Sequence, residues 1–167
     1  MQPLKIHTIN YYLLGGGAIV TKKIPKIIPI IGESTQKNYM SLYGYPLPTT
    51  PHLDTLAQDG HLFIFTDTIA PHAYTDTAVA KLLTFSHYEN SQIPWFYQNN
   101  IIDIVNIAGY KTYWISNQEA ISIYGNAPQA IAKRSDILKY VSITDSYTNV
   151  THDEQLLPIL SALPQTE

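Results

Sequence analysis

The chain has 167 residues, 45% of them apolar, which is enough for one ordinary globular domain with a core. Thirteen acidic side chains oppose ten basic ones, and a net charge of -3 of mixed sign leaves no electrostatic footprint for nucleic acid, so DNA and RNA are set aside as partners. There is no cysteine, so disulfides and thiolate metal sites are excluded and any metal must use oxygen and nitrogen donors.

In chain order, the apolar stretch from Ile9 to Val20 falls short of the ~20 residues a membrane-crossing helix needs. It also lacks the basic opening and small-residue cleavage site of a secretory signal. Gly15, Gly16 and Gly17 are followed by Thr21-Lys22-Lys23, which is not the Lys-Ser or Lys-Thr pair of a phosphate-binding P-loop, so residues 1–25 read as a linker or residual N-terminal segment.

"KIIPII", Lys26 to Ile31, is an apolar β-branched run that predicts a buried strand, with Pro29 counting against it and Gly32 ending it. Glu33 follows at once. "TTPHLDTLAQDG" predicts a helix with Thr50 as N-cap, Pro51 in the first position and Gly60 as the stop. "HLFIFTDTIA", His61 to Ala70, reads as a second strand, and "TDTAVAKLLTF" as a helix with Thr75 and Thr77 at its start. A further helix closes at Gly109, and a strand runs from Lys111 to Ile115. "GNAPQAIAKRSDILKYVSITDSYTNV" mixes a short helix with a polar loop. "THDEQLLPILSALPQTE" reads as an amphipathic helix opened by Thr151, ended near Pro164 and open to a kink at Pro158.

This order predicts an α/β protein with a mainly parallel sheet flanked by helices. In such sheets functional groups gather at the carboxyl ends of the strands. Glu33 follows the first predicted strand, Thr75 and Thr77 the second, and Asn117-Gln118 the third, so three polar stations fall on one edge. A carboxylate at the end of a buried strand is costly unless a positive charge sits beside it. If Glu33 and a second-station threonine face one metal ion, that ion supplies the charge and lowers the hydroxyl pKa, making the threonine a nucleophile. Without a metal, Glu33 and the threonines read as helix-start residues and Asn117 as a turn residue. The six histidines are scattered, with no i, i+4 pair of metal-ligand type, and most read as surface residues, His72 before Thr75 reading as a loop histidine rather than a site residue.

Three stretches, "GESTQKNYMSLYGYPLPTTPHLDTL", "APHAYTDTAVAKLLTFSHYENS" and "IIDIVNIAGYKTYWISNQEA", resemble the catalytic domain of bacterial phosphoethanolamine transferases, in the alkaline phosphatase and sulfatase superfamily. The match is closest to the branch that decorates the lipopolysaccharide core, and it covers residues 26–163. The resemblance implies a zinc-dependent transfer in two steps. A threonine takes phosphoethanolamine from phosphatidylethanolamine, then passes it to lipopolysaccharide on the periplasmic face of the inner membrane. By position it makes Glu33 a metal ligand, Thr75 nucleophile and metal ligand with Thr77 as the alternative, and Asn117 and Gln118 contacts to the substrate. Tyr43 and Tyr45 are expected to pack around the Glu33 loop.

Members of that family continue with a histidine-containing strand and an Asp-His-Gly-Glu element that complete the metal site, and neither occurs before Glu167; His152 does not take their role. The multi-helix membrane anchor usually found ahead of the domain is missing as well. The expectation is therefore a truncated half-domain over 26–167, inactive alone, with an unpaired sheet edge and exposed apolar surface that favour aggregation or membrane adherence. Two readings stand beside it: a sulfatase or phosphodiesterase fragment, disfavoured by a threonine where sulfatases use a modified cysteine or serine, and a non-catalytic binding module.

Overall fold

The computed structural model describes residues 26–121, 126–141 and 152–164; the predicted linker over 1–25 and Thr151, where the last helix is predicted to open, lie outside them. Residues Ile28–Ala70 form one compact unit, and the described residues from Pro71 onward, with Lys26 and Ile27, form another.

In the Ile28–Ala70 unit the one α-helix is α1, Pro51–Gln58, with Thr50 as N-cap, Pro51 in the first turn, and Gly60 at φ 72° just beyond its end. Proline suits the first turn because its missing N–H has no intrahelical acceptor there. Two single 3₁₀ turns, Lys37–Tyr39 and Ser41–Tyr43, precede it. Gly44 ends the second turn in the left-handed region, at φ 93°.

The strands predicted over Lys26–Ile31 and His61–Ala70 do not form among the described residues. A strand exists through a partner that takes its backbone hydrogen bonds, and none of the described strands pairs with either segment. Pro29 removes one ladder donor from the first of them. Their apolar character is as the sequence predicts, but it faces solvent: Ile30 is 89% exposed, Phe63 and Phe65 73% each, and Ile69 88%.

The other unit holds α2 (Thr75–Leu83), α3 (Ile101–Ile107), β1 (Tyr113–Ser116), α4 (Ala127–Ala132), β2 (Ile137–Tyr140) and α5 (Leu156–Ser161). β1 and β2 pair in parallel, Tyr113 opposite Ile137 through Ser116 opposite Tyr140, with α4 as the crossover between them. β2 was not foreseen: "ILKYV" is short, and Lys139 interrupts its apolar run.

The core lies where α2, α3 and α4 meet β1, with Val79, Ile102 and Ile131 buried and Leu83, Trp95 and Trp114 packed against them. Each such aliphatic side chain contributes roughly 1.5–3 kcal/mol when fully buried. Ala80, Ala127 and Ala132 are buried too, and their small side chains let α2 and α4 approach closely. α3 starts on a capping box, Asn100 Oδ1 accepting the Asp103 N–H at 3.1 Å, and ends before Gly109 at φ 78°. Pro158 lies in the first turn of α5, where no N–H is needed, so the helix runs through it to Ser161.

Candidate active site

Each station is built by its own local chemistry. Glu33 lies in a tight turn. Ser34 takes φ 54°, the left-handed region that non-glycine residues seldom occupy, and a Cβ placed on Gly32 would meet Thr35 Oγ1 at 3.0 Å. Thr35 Oγ1 donates to the Glu33 carbonyl at 3.4 Å. A side chain at position 32 would therefore press on the Thr35 hydroxyl, and the acid's own backbone carbonyl receives that hydroxyl. Glu33 itself is exposed.

The hydroxyl-rich segments after it act as a clasp. Ser41 Oγ donates to Asp54 Oδ2 at 2.6 Å and accepts the Thr50 N–H at 2.9 Å, while Thr50 Oγ1 accepts the Leu42 N–H at 3.0 Å and lies 2.9 Å from Ser41 Oγ. Thr49 Oγ1 donates to Tyr39 O at 2.6 Å and accepts the Ser41 N–H at 2.9 Å. Thus "SLYG" and "TTPHLD" are tied into one piece, and the 3₁₀ turn at Ser41–Tyr43 is fixed on the start of α1. Tyr45 meets Tyr39 edge to face at 5.4 Å, and Lys37 lies over Tyr43 while its ammonium donates to Thr66 O at 2.6 Å. The two tyrosines pack within the turns that follow Glu33.

At the second station the N-cap of α2 is Tyr74, so Thr75 is the first helical residue and Thr77 the third. Thr75 is exposed and Thr77 half-buried. His72 Nδ1 accepts the Tyr74 N–H at 3.1 Å, which shapes the approach to the helix. Between the two threonines, Asp76 Oδ1 accepts the Ala127 N–H at 2.6 Å and fixes the start of α2 to the start of α4. A carboxylate in the first turn also suits the positive end of the helix dipole.

At the third station Asn117 and Gln118 follow β1 directly. Asn117 is half-buried and donates through Nδ2 to Asp153 Oδ1 at 2.9 Å, whereas Gln118 is exposed, with its N–H on Ser116 Oγ at 3.0 Å. Asp153 was missed by sequence reasoning. It stands beside His152 in "THDEQ", and the signal that would have found it is an acid at the start of an element returning to the end of β1. The five described histidines are all exposed.

With two predicted strands absent, the shared edge is realised by β1 alone, and Glu33 and Thr75 belong to separate compact units. Among the described residues no three His, Asp or Glu side chains gather to hold a metal ion. One carboxylate and one hydroxyl are fewer donors than a zinc site uses, which is at least three protein ligands. The described residues thus supply at most part of a zinc site. No helix among them is long and apolar enough to cross a membrane.

Comparison with known proteins adds the family context. The Sulfatase family model matches residues 25–163. The chain is 32% identical over 132 residues to the phosphoethanolamine transferase EptC of Escherichia coli, covering 78% of this chain and 23% of that protein. It is 32% identical over 139 residues to the phosphoethanolamine transferase CptA of Salmonella typhimurium, covering 82% and 24%. It therefore spans about a quarter of the length of these curated relatives. The crystal structure of the C-terminal periplasmic domain of E. coli EptC, in complex with zinc, superposes with a TM-score of 0.72 at 30% identity, over 82% of this chain and 39% of that one.

Proposed function

The chain belongs to the sulfatase family, with the α/β fold of that family and of alkaline phosphatase, and from that premise we propose that it carries the nucleophile-bearing part of a phosphoethanolamine transferase. In this reading Thr75 takes phosphoethanolamine from phosphatidylethanolamine and passes it to lipopolysaccharide, at the periplasmic face of the inner membrane. Thr75 Oγ attacks phosphorus, the diacylglycerol alkoxide leaves, and in the second step an acceptor oxygen displaces the threonine.

The observation that carries this reading is the exposed Thr75 at the first position of α2, on a helix start fixed by the bond from Ala127 to Asp76, in a chain whose named relatives are phosphoethanolamine transferases. The positive end of the helix dipole at that position favours a developing negative charge. Thr77 is the alternative, and its partial burial makes it the poorer nucleophile. Glu33 contributes one carboxylate to the zinc site, and Asn117 and Gln118, at the end of β1, contact the phosphoethanolamine group. When bound, zinc stabilises negative charge on oxygen and promotes ionisation of a hydroxyl. Because the described donors are too few for zinc, the 167-residue chain alone carries out no transfer.

The test is a chimera in which residues 26–163 replace the matching segment of full-length E. coli EptC, supplied with phosphatidylethanolamine labelled in its headgroup. The expected result is a labelled peptide containing Thr75, lost in Thr75→Ala and kept in Thr77→Ala. Label on Thr77 overturns the assignment of the nucleophile. A folded, zinc-loaded chimera that acquires no label overturns the transferase reading itself.

A further inference from the structure

The backbone where β1 ends is held from two sides. Ser116 O accepts the Val141 N–H at 2.9 Å, and Ser116 Oγ accepts the Gln118 N–H at 3.0 Å, so the main chain around Asn117 has little freedom left. What remains open is the direction of the Asn117 amide. That amide has a donor end and an acceptor end of nearly the same shape, and turning it end for end exchanges them. Asp153 settles the choice. An ionised carboxylate only accepts, and Asn117 Nδ2 donates to Asp153 Oδ1 at 2.9 Å, so the NH2 end faces Asp153 and the carbonyl end is turned away from it. Asp153 is in turn set by its own element: it opens the 3₁₀ turn Asp153–Gln155, closed by the Gln155 N–H on His152 O at 3.1 Å, and α5 continues from that turn.

We propose that Asp153 is a positioning residue for the donor headgroup, acting through Asn117; the proposal rests on the transferase reading above. Phosphoethanolamine offers oxygens that accept at its phosphate end and N–H groups that donate at its ammonium end. A side-chain amide free to turn presents the wrong end to either pole in part of its encounters, and binding then has to supply the cost of ordering it. With its NH2 end tied to Asp153, the amide is oriented before the headgroup arrives. That orientation tightens donor binding and leaves the chemistry at Thr75 unchanged. Asp153 touches neither the reacting atoms nor the headgroup in this role. Glu154 carries the same charge one residue on, so it separates orientation from charge in a test.

The experiment uses the zinc-loaded chimera of residues 26–163 in full-length E. coli EptC and follows its labelling against the concentration of headgroup-labelled phosphatidylethanolamine. Expected is a rise of about tenfold in the donor concentration for half-maximal labelling in Asp153→Ala and Asp153→Asn, with the maximal rate within about threefold of the wild type. Asn117→Ala shows the same rise, and adding Asp153→Ala to it changes nothing further, because the carboxylate acts through the amide. Glu154→Gln leaves the half-maximal concentration as it was. The exchange Asn117→Asp with Asp153→Asn keeps a hydrogen bond between the two positions and recovers the melting temperature lost in the single variants, while the raised donor concentration persists. A merely structural tie would recover both, and that double recovery overturns the proposal. So does an unchanged half-maximal concentration in the two Asp153 variants, or an equal rise in Glu154→Gln. A folded, zinc-loaded wild-type chimera that takes no label overturns the transferase reading and this proposal with it, whereas the other failures leave that reading standing.

Discussion

Asn117 donates its side-chain amide to the carboxylate of Asp153 at 2.9 Å, joining the end of β1 to the turn that leads into α5. This contact spans a long stretch of chain and gives Asn117 a definite structural task at the position where substrate contact is proposed. Removing either partner loses one hydrogen bond to a charged group, roughly 1.5–3 kcal/mol before allowance for solvent and nearer ~1 kcal/mol at this half-exposed site. Asn117→Ala and Asp153→Ala are expected to lower the chemical-denaturation midpoint of the chain by similar amounts, with the double variant no worse than the weaker single one. Additive losses would show that the two side chains do not act as a pair.

Thr112 and Asp136 hold the other end of the same strand pair. Asp136 Oδ2 accepts the Thr112 N–H at 2.8 Å, and Thr112 Oγ1 accepts the Asp136 N–H at 3.0 Å, so each residue caps the strand that begins beside it. The Thr112 backbone bond, followed by its hydroxyl, holds the Asp136 carboxyl below the usual aspartate value against the opposing effect of burial, with a still smaller pull in the same direction from Lys111. A folded-state pKa below the unfolded one means that the stabilisation is complete above the unfolded value and is lost as pH falls through the folded value. Stability should therefore decline as pH falls below the ordinary aspartate value, and Asp136→Asn should flatten that decline while lowering stability at neutral pH. Urea melts at several pH values check this; an unchanged acid limb in the variant would refute it.

Ser41 and Thr50 make a claim on the Ile28–Ala70 unit that exchange can read directly. The amides of Leu42 and Thr50 bond to the hydroxyls of Thr50 and Ser41. Ser41→Ala leaves the Thr50 amide and one Asp54 oxygen without that partner, at a cost of about 1–2 kcal/mol locally. Exchange at Thr50 should accelerate in Ser41→Ala and exchange at Leu42 in Thr50→Val. Thr55→Ala, which removes only an exposed bond to the Pro51 carbonyl, should change neither.

What could be read from the residues divides along a physical line. Helices with local punctuation were legible: Thr50-Pro51 with Gly60, and the α3 stretch closed by Gly109, depend on residues within a turn or two of each end. Strands depend on partners far away in sequence. Lys26–Ile31 and His61–Ala70 carry the right side chains and find no partner among the described residues, while Ile137–Tyr140 has a weak pattern and pairs because β1 lies beside it. The same division holds for the site. Thr75 at a helix start and Asn117 at a strand end were placed by local rules, whereas Asp76 holding Ala127 and Asp153 holding Asn117 are contacts that no local pattern announces.

The last prediction concerns metal. A complete structural zinc site supplies about 10–16 kcal/mol of apparent binding energy through four ligands, and catalytic sites keep three protein ligands. Among the described residues no three candidate ligands gather, and Glu33 stands with one carboxylate. The 167-residue chain should bind zinc no more tightly than about 1 μM, equivalent to roughly 8 kcal/mol. In the EptC chimera, where further donors are supplied, affinity should rise by orders of magnitude and fall at least about tenfold in Glu33→Gln, since loss of a ligand is costlier than the 10–100-fold penalty for mutating a group behind one. Calorimetric titration with zinc decides both parts. Tight stoichiometric uptake by the chain alone would show a complete site that the described residues do not contain, and an unaffected Glu33→Gln chimera would remove Glu33 from the ligand set.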